Sequence, residues 1–123
     1  MKILDVVFYR GLLHIFKENF VNNYYPNNIT VLDVRKTTEY DSEHIEHNNV
    51  SNLPLAEIST NHKELNKDND YFIHCRGGYR SVIFSSILKQ KGFKNPINVK
   101  GGFDEIKTQK NISLTAFVCP TTL

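Results

Sequence analysis

The residues from 71 to 81, YFIHCRGGYRS, carry the clearest chemistry in the chain. A cysteine, Cys75, follows an apolar run and is itself followed by Arg76, the pair Gly77 and Gly78, then Tyr79, Arg80 and Ser81. The thiolate, not the thiol, is the nucleophilic form of cysteine, so the question is what could hold a negative sulfur here. Glycines let successive backbone N–H groups converge into one concavity. A helix starting just behind them would point its positive end at the same place. Arg76 and Arg80 add full charges. The expected product is a nucleophilic thiolate in a pocket shaped for a second anion.

The flanking elements support that position. DYFIH, Asp70 to His74, reads as a strand, and SVIFSSILKQKG reads as a helix. In the latter, Ile83 pairs with Ile87 and Phe84 with Leu88 at i,i+4, and Gly92 is the stop. Elsewhere ITVLDV (29–34) has the near-continuous apolar character of a strand buried on both faces. TTEYDSEHI predicts a short helix with Thr37 or Thr38 as N-cap, and LAEISTNHKEL a further helix. VSNLPL and PINV predict short strands. GLLHIFKENFV, with Leu12, Leu13, Phe16 and Phe20, has helical spacing. GGFDEIKTQ predicts a last helix. Strands alternating with helices give an α/β class with a mainly parallel sheet, in which ligands bind beyond the carboxyl ends of the strands.

The loop from Cys75 to Arg80, with four residues between cysteine and arginine, closely resembles the active-site loop of rhodanese-type sulfurtransferases. VLDVRKTTEY…EHI, NLPL and INVKGGFDEIK resemble further segments of that family, so the likeness spans about 29–107. The resemblance implies one rhodanese domain over 1–123, with a central five-stranded, mostly parallel sheet and helices on both faces. It implies a Cys75 persulfide, formed from thiosulfate or a low-molecular-weight persulfide and passed to a thiol, sulfite or cyanide. The N–H groups of residues 76 to 81 would hold it: Arg76, Gly77, Gly78, Tyr79, Arg80 and Ser81 as the binding set. Asp33 and Arg35 would support the strand end. Related phosphatases and arsenate reductases use five intervening residues around a tetrahedral oxyanion; four suit a single sulfur. The cysteine loop, the following helix and the terminal CPTT also resemble the rhodanese region of persulfide-dioxygenase and metallo-β-lactamase-like fusion proteins. A persulfide dioxygenase is therefore a candidate partner.

Other readings stand beside these. Arg76 either contacts an anionic donor or is a solvated surface charge, and Tyr79 is either a rim residue or a plain surface aromatic. Arg80 is expected to pair with Asp33 or Glu39. His74 should alternate to the opposite side of its strand from Cys75. His44 and His47 are a weak metal signal, and neither a metal nor another cofactor is expected. Cys119, with no glycine or basic neighbours, is read as a bystander. The 15 basic and 13 acidic residues leave a net charge of +2, which argues against nucleic acid as a partner. Asp5, Arg10 and His14 interrupt the apolar N-terminus, so neither a signal peptide nor a membrane span is expected, and the cytoplasm is the expected compartment.

Overall fold

The computed structural model describes residues 5–25, 27 and 29–119. The thiol-bearing strand β5 (Asp70–His74) lies inside a six-stranded sheet of order β1-β2-β6-β5-β3-β4. Its parallel neighbours are β3 (Thr30–Asp33) and β6 (Asn95–Val99). The short β4 (Val50–Asn52) pairs parallel with β3. β2 (Leu12–Ile15) pairs parallel with β6, and β1 (Val6–Tyr9) closes the far edge antiparallel to β2.

Among the described residues the sheet thus has six strands, not five, and is mixed. The extra strand comes from the N-terminal segment, where helical spacing over 11–21 is overturned. Arg10 and Gly11 both take positive φ, 51° and 79°, which folds a two-residue hairpin turn. Leu12 and Leu13 consequently lie in β2. Helix begins only at α1 (Lys17–Asn19) and continues as a π-helical turn over Phe20–Tyr24. Leu12, Leu13, Phe16 and Phe20 fit a strand followed by a helix as well as they fit one helix; burying the sheet's flank on β6 decides for the strand.

Alternation along the strands splits the core in two. Val31, Phe72 and Ile97 face one side, against Phe20, Val21 and Tyr24 of the helical turns and Phe103 and Ile106 of α5 (Gly102–Ile106). Leu32, Tyr71 and Ile73 face the other, against Phe84 and Leu88 of α4 (Tyr79–Gln90). Of the two i,i+4 pairs on α4, Phe84 and Leu88 form the buried one, while Ile83 is exposed. The segment 55–64 is three short turns, with α3 (Ile58–Asn61) between two 3₁₀ turns. The helix α2 (Thr37–Ser42) follows β3, and its N-cap is Lys36 in place of the expected Thr37 or Thr38. Glu39 Oε1 accepts the Lys36 N–H at 3.2 Å, so a side chain three residues on closes the turn. The C-terminal stretch docks at the end of α2: Leu114 bridges to Ile45, and the Val118 N–H reaches the Ser42 carbonyl. No described helix is long and apolar enough to cross a membrane. The terminal CPTT lies outside the described residues beyond Cys119.

Candidate active site

β5 ends at His74, so Cys75 stands at the carboxyl edge of the sheet. It is buried with the α4-side core. The chain then turns through Gly78, whose φ of 99° lies in the region that favours glycine, and enters α4 at Tyr79. The turn brings the Gly78 N–H to 3.0 Å from Cys75 Sγ. Ser81, fully buried in the first turn of α4, places Oγ 3.5 Å from the same sulfur.

The loop's outer side is fixed by α5. The Phe103 N–H donates to the Cys75 carbonyl at 2.7 Å, and the Asp104 N–H to the Arg76 carbonyl at 3.0 Å. With those carbonyls committed to α5, the Gly78 N–H is left facing the sulfur. Of the N–H groups expected to form a cradle, that of Gly78 is seen at the sulfur; the sequence does not anticipate the lock, whose visible signal is the second glycine of the 101–102 pair.

The binding set divides once its side chains are placed. Arg80 is bidentate with Glu39, at 2.6 and 3.0 Å, bearing out one of its two expected partners. The Arg80 guanidinium in turn holds the Glu39 carboxyl below the usual carboxylate range. Its charge is therefore shared with Glu39, and the site receives mainly the Arg80 backbone and a partly neutralised field. Arg76 is largely exposed and faces Asp104 at 3.6 Å. Tyr79 is 80% exposed and lines neither of the two concavities beside the loop. Gly77 and Gly78 line a groove of about 830 Å³, together with Tyr9, His14, Phe16 and Asn98. A smaller concavity of about 210 Å³ lies across the loop and includes Arg35, Arg76, Phe103 and Phe117.

Asp33 and Arg35 sit side by side at the end of β3, both buried. Arg35 Nη2 donates to Asp33 Oδ2 at 2.7 Å and to the Glu43 carbonyl at 2.8 Å, and Nε donates to Asp33 Oδ1 at 3.0 Å. Burial pushes the Asp33 carboxyl up, but the facing His74 ring and Arg35 more than offset it, leaving it below the usual range. His74 points to the opposite face from Cys75, as alternation requires, and stacks on Phe103. Its Nδ1 lies 3.2 Å from the Cys75 carbonyl, while Nε2 faces Asp33 at 3.7 Å without a hydrogen-bond partner among the described residues.

That ring makes the fold acid-sensitive. Burial lowers the pKa of His74, and the pull of Asp33 and the Cys75 carbonyl only partly opposes it. An unfolded histidine titrates near pH ~6.5, so below that value the unfolded chain binds the extra proton and stability falls with acid. Urea midpoints between about pH 8 and pH 5 should decline for the wild type and flatten in His74→Asn. Equal slopes for the two proteins would rule the assignment out.

Among the described residues no group of three or more His, Cys, Asp or Glu side chains is placed to hold a metal. His44 instead stacks on Tyr40 at 3.7 Å, with Nδ1 on the Tyr40 carbonyl. Cys119 is exposed, and neither it nor Cys75 is in a disulfide.

Comparison with known proteins agrees with this geometry. Residues 17–109 match the rhodanese-like domain family. The chain belongs to that family. It is 38% identical over 74 residues to a candidate sulfur carrier, YrkF of Bacillus subtilis, covering 60% of this chain and 39% of YrkF. Against the thiosulfate sulfurtransferase GlpE of Coxiella burnetii it is 29% identical over 79 residues, covering 64% of this chain and 72% of GlpE. A rhodanese-related protein of Thermoplasma volcanium superposes with a TM-score of 0.70 at 28% identity, over 83% of this chain and 96% of that one. The chain thus spans about two fifths of YrkF but most of GlpE. The two curated relatives thus carry different names, a candidate sulfur carrier and a thiosulfate sulfurtransferase.

Proposed function

We propose that this rhodanese-like domain is a sulfurtransferase in which Cys75 carries the transferred sulfur. The observation behind this reading is the pairing of Cys75 Sγ with the Gly78 N–H at 3.0 Å, inside a loop of only four residues before Arg80. Thiolate attacks the outer sulfur of thiosulfate, the S–S bond breaks, and sulfite leaves with the bonding pair. With a persulfide donor, a thiolate leaves instead. The N–H groups of residues 76 to 81 then hold the terminal sulfur of the Cys75 persulfide. A thiol, sulfite or cyanide attacks that sulfur, and Cys75 departs as thiolate. Each half is a displacement through a covalent enzyme intermediate. Arg76, exposed at the loop, is the side chain we assign to meeting an anionic donor from solution.

A second reading has its own support. Likeness to YrkF favours a carrier that hands sulfur to a protein partner, such as a persulfide dioxygenase in the same pathway or chain. Both readings need the Cys75 persulfide, and both suit a cytoplasmic setting, where thiols stay reduced.

Intact mass after mixing with thiosulfate or glutathione persulfide tests the common step. One added sulfur, ~32 Da, is expected on the wild type and none on Cys75→Ser. An adduct that survives Cys75→Ser, or no adduct with either donor, defeats both readings. Catalytic turnover with cyanide or sulfite then favours the enzyme over the carrier.

A further inference from the structure

Behind Cys75, a line of hydrogen bonds crosses two strands to reach the groove. Ser81 Oγ, 3.5 Å from Cys75 Sγ, donates to Asn98 Oδ1 at 2.6 Å. Asn98, only 2% exposed on β6, has Nδ2 3.2 Å from His14 Nδ1 on β2. His14 Nε2 lies 3.2 Å from the Tyr9 carbonyl, and the ring lines the solvent-open groove.

The donors and acceptors of this line are constrained. The Tyr9 carbonyl can only accept, so His14 Nε2 carries a hydrogen. In the arrangement seen, Asn98 Nδ2 donates to a bare His14 Nδ1. Asn98 Oδ1 takes the single Ser81 hydroxyl hydrogen, and Ser81 Oγ is left to accept from a Cys75 thiol. Every group is satisfied, with Cys75 protonated and His14 neutral.

A thiolate reverses each link. The sulfur can then only accept, so the Ser81 hydroxyl hydrogen turns to it. Ser81 Oγ now needs a donor, which Asn98 supplies by rotating its amide. Asn98 Oδ1 is thereby presented to His14 Nδ1, which must carry a hydrogen too. With Nε2 still bound to Tyr9, the ring is an imidazolium. Hydrogens balance: Cys75 loses one to solvent, and His14 gains one from the groove.

We propose that His14 is a positioning residue for Cys75, its protonation coupled through Asn98 and Ser81 to formation of the thiolate. The proposal rests on Cys75 being the nucleophile of the proposed function. It also gives the N-terminal hairpin a role, since β2 brings His14 against Asn98. The other charged or titratable groups lining the groove beside His14 are Tyr9, Glu18, Lys100 and Lys17, the last paired with Glu105 at 2.9 Å. Nearest Cys75 along the chain, His74 turns its ring to the opposite face, against Asp33, and Arg80 of the same loop is paired with Glu39. Tyr9 joins the hydrogen-bonded line only through its backbone carbonyl, and the others do not join it.

Alkylation of Cys75 by iodoacetamide, followed as a function of pH, reads the thiolate directly and needs no sulfur donor. In His14→Gln, which cannot become a cation, the alkylation profile should move to higher pH. The rate near neutrality should fall about three- to tenfold, a smaller effect than direct contact with an opposite charge would give. Linkage requires the reverse effect: in Cys75→Ser, the His14 imidazole followed by NMR should lose its proton at lower pH than in the wild type. Superimposable alkylation profiles, or a His14 titration indifferent to Cys75→Ser, would overturn the coupling while leaving sulfur transfer intact. A Cys75 unreactive in both proteins would overturn the proposed function as well.

Discussion

Gly102→Ala is expected to destabilise the protein by roughly 2–4 kcal/mol and to slow sulfur loading of Cys75 about a hundredfold. Gly102 opens α5 with φ of +63°, where a side chain is strained. A Cβ there would stand 2.5 Å from the Cys75 carbonyl oxygen and 2.6 Å from that of Arg76. Both are backbone atoms, so neither can swing aside as a flexible side chain would. Relief requires α5 to back away, stretching the bonds from the Phe103 and Asp104 N–H groups that lock the loop. The carbonyls of residues 75 and 76 then lose their partners, and the Gly78 N–H loses its aim at the sulfur. Gly77→Ala is the stability comparison: no atom lies within 4 Å of the added carbon, so its urea midpoint should stay within about 0.5 kcal/mol of wild type. Equal midpoints for Gly102→Ala and the wild type would show that the close approach of α5 does not set the loop.

This lock marks the boundary of what the sequence discloses. β5, the cysteine loop and α4 are legible because each signal is local: an apolar run, a glycine pair, an i,i+4 ladder closed by Gly92. The chemistry proposed for Cys75 is read from the same local signals. The N-terminal hairpin is hidden because its turn uses Arg10 at φ 51°, a conformation that side chains seldom adopt, and because its apolar spacing serves two periods. Partners far apart in the chain are hidden too. Glu39 could be named for Arg80 only as one of two acids, since 41 residues separate them. The line from Ser81 to Asn98 and His14 spans three secondary-structure elements, and its sequence signal is slight: one amide inside the otherwise apolar INV of β6. An amide there must find partners, because an unsatisfied buried polar group is costly.

The same argument about buried polar groups, applied to charge, predicts the second large effect. Arg35→Met should cost about 3–5 kcal/mol, because it leaves the fully buried Asp33 carboxylate without its counter-charge. Methionine retains much of the apolar stem, so the loss is mainly electrostatic. Pairing it with Asp33→Leu should recover more than half of that cost, since removing both charges abolishes the desolvation penalty. Urea midpoints of the two single variants and the double variant give the coupling. A loss below about 1 kcal/mol for Arg35→Met, or a double variant weaker than both singles, would rule out a buried ion pair as the support. The effect should reach Cys75 as well. The Arg35 guanidinium lies 4.3 Å from the Phe103 ring centroid, and the Phe103 N–H holds the Cys75 carbonyl. On its other side, Arg35 ties the Glu43 carbonyl after α2, close to the Glu39 that anchors Arg80. Loosening this one side chain therefore releases both flanks of the loop, through α5 and through α2. Sulfur loading in Arg35→Met should slow even under conditions where the protein remains folded.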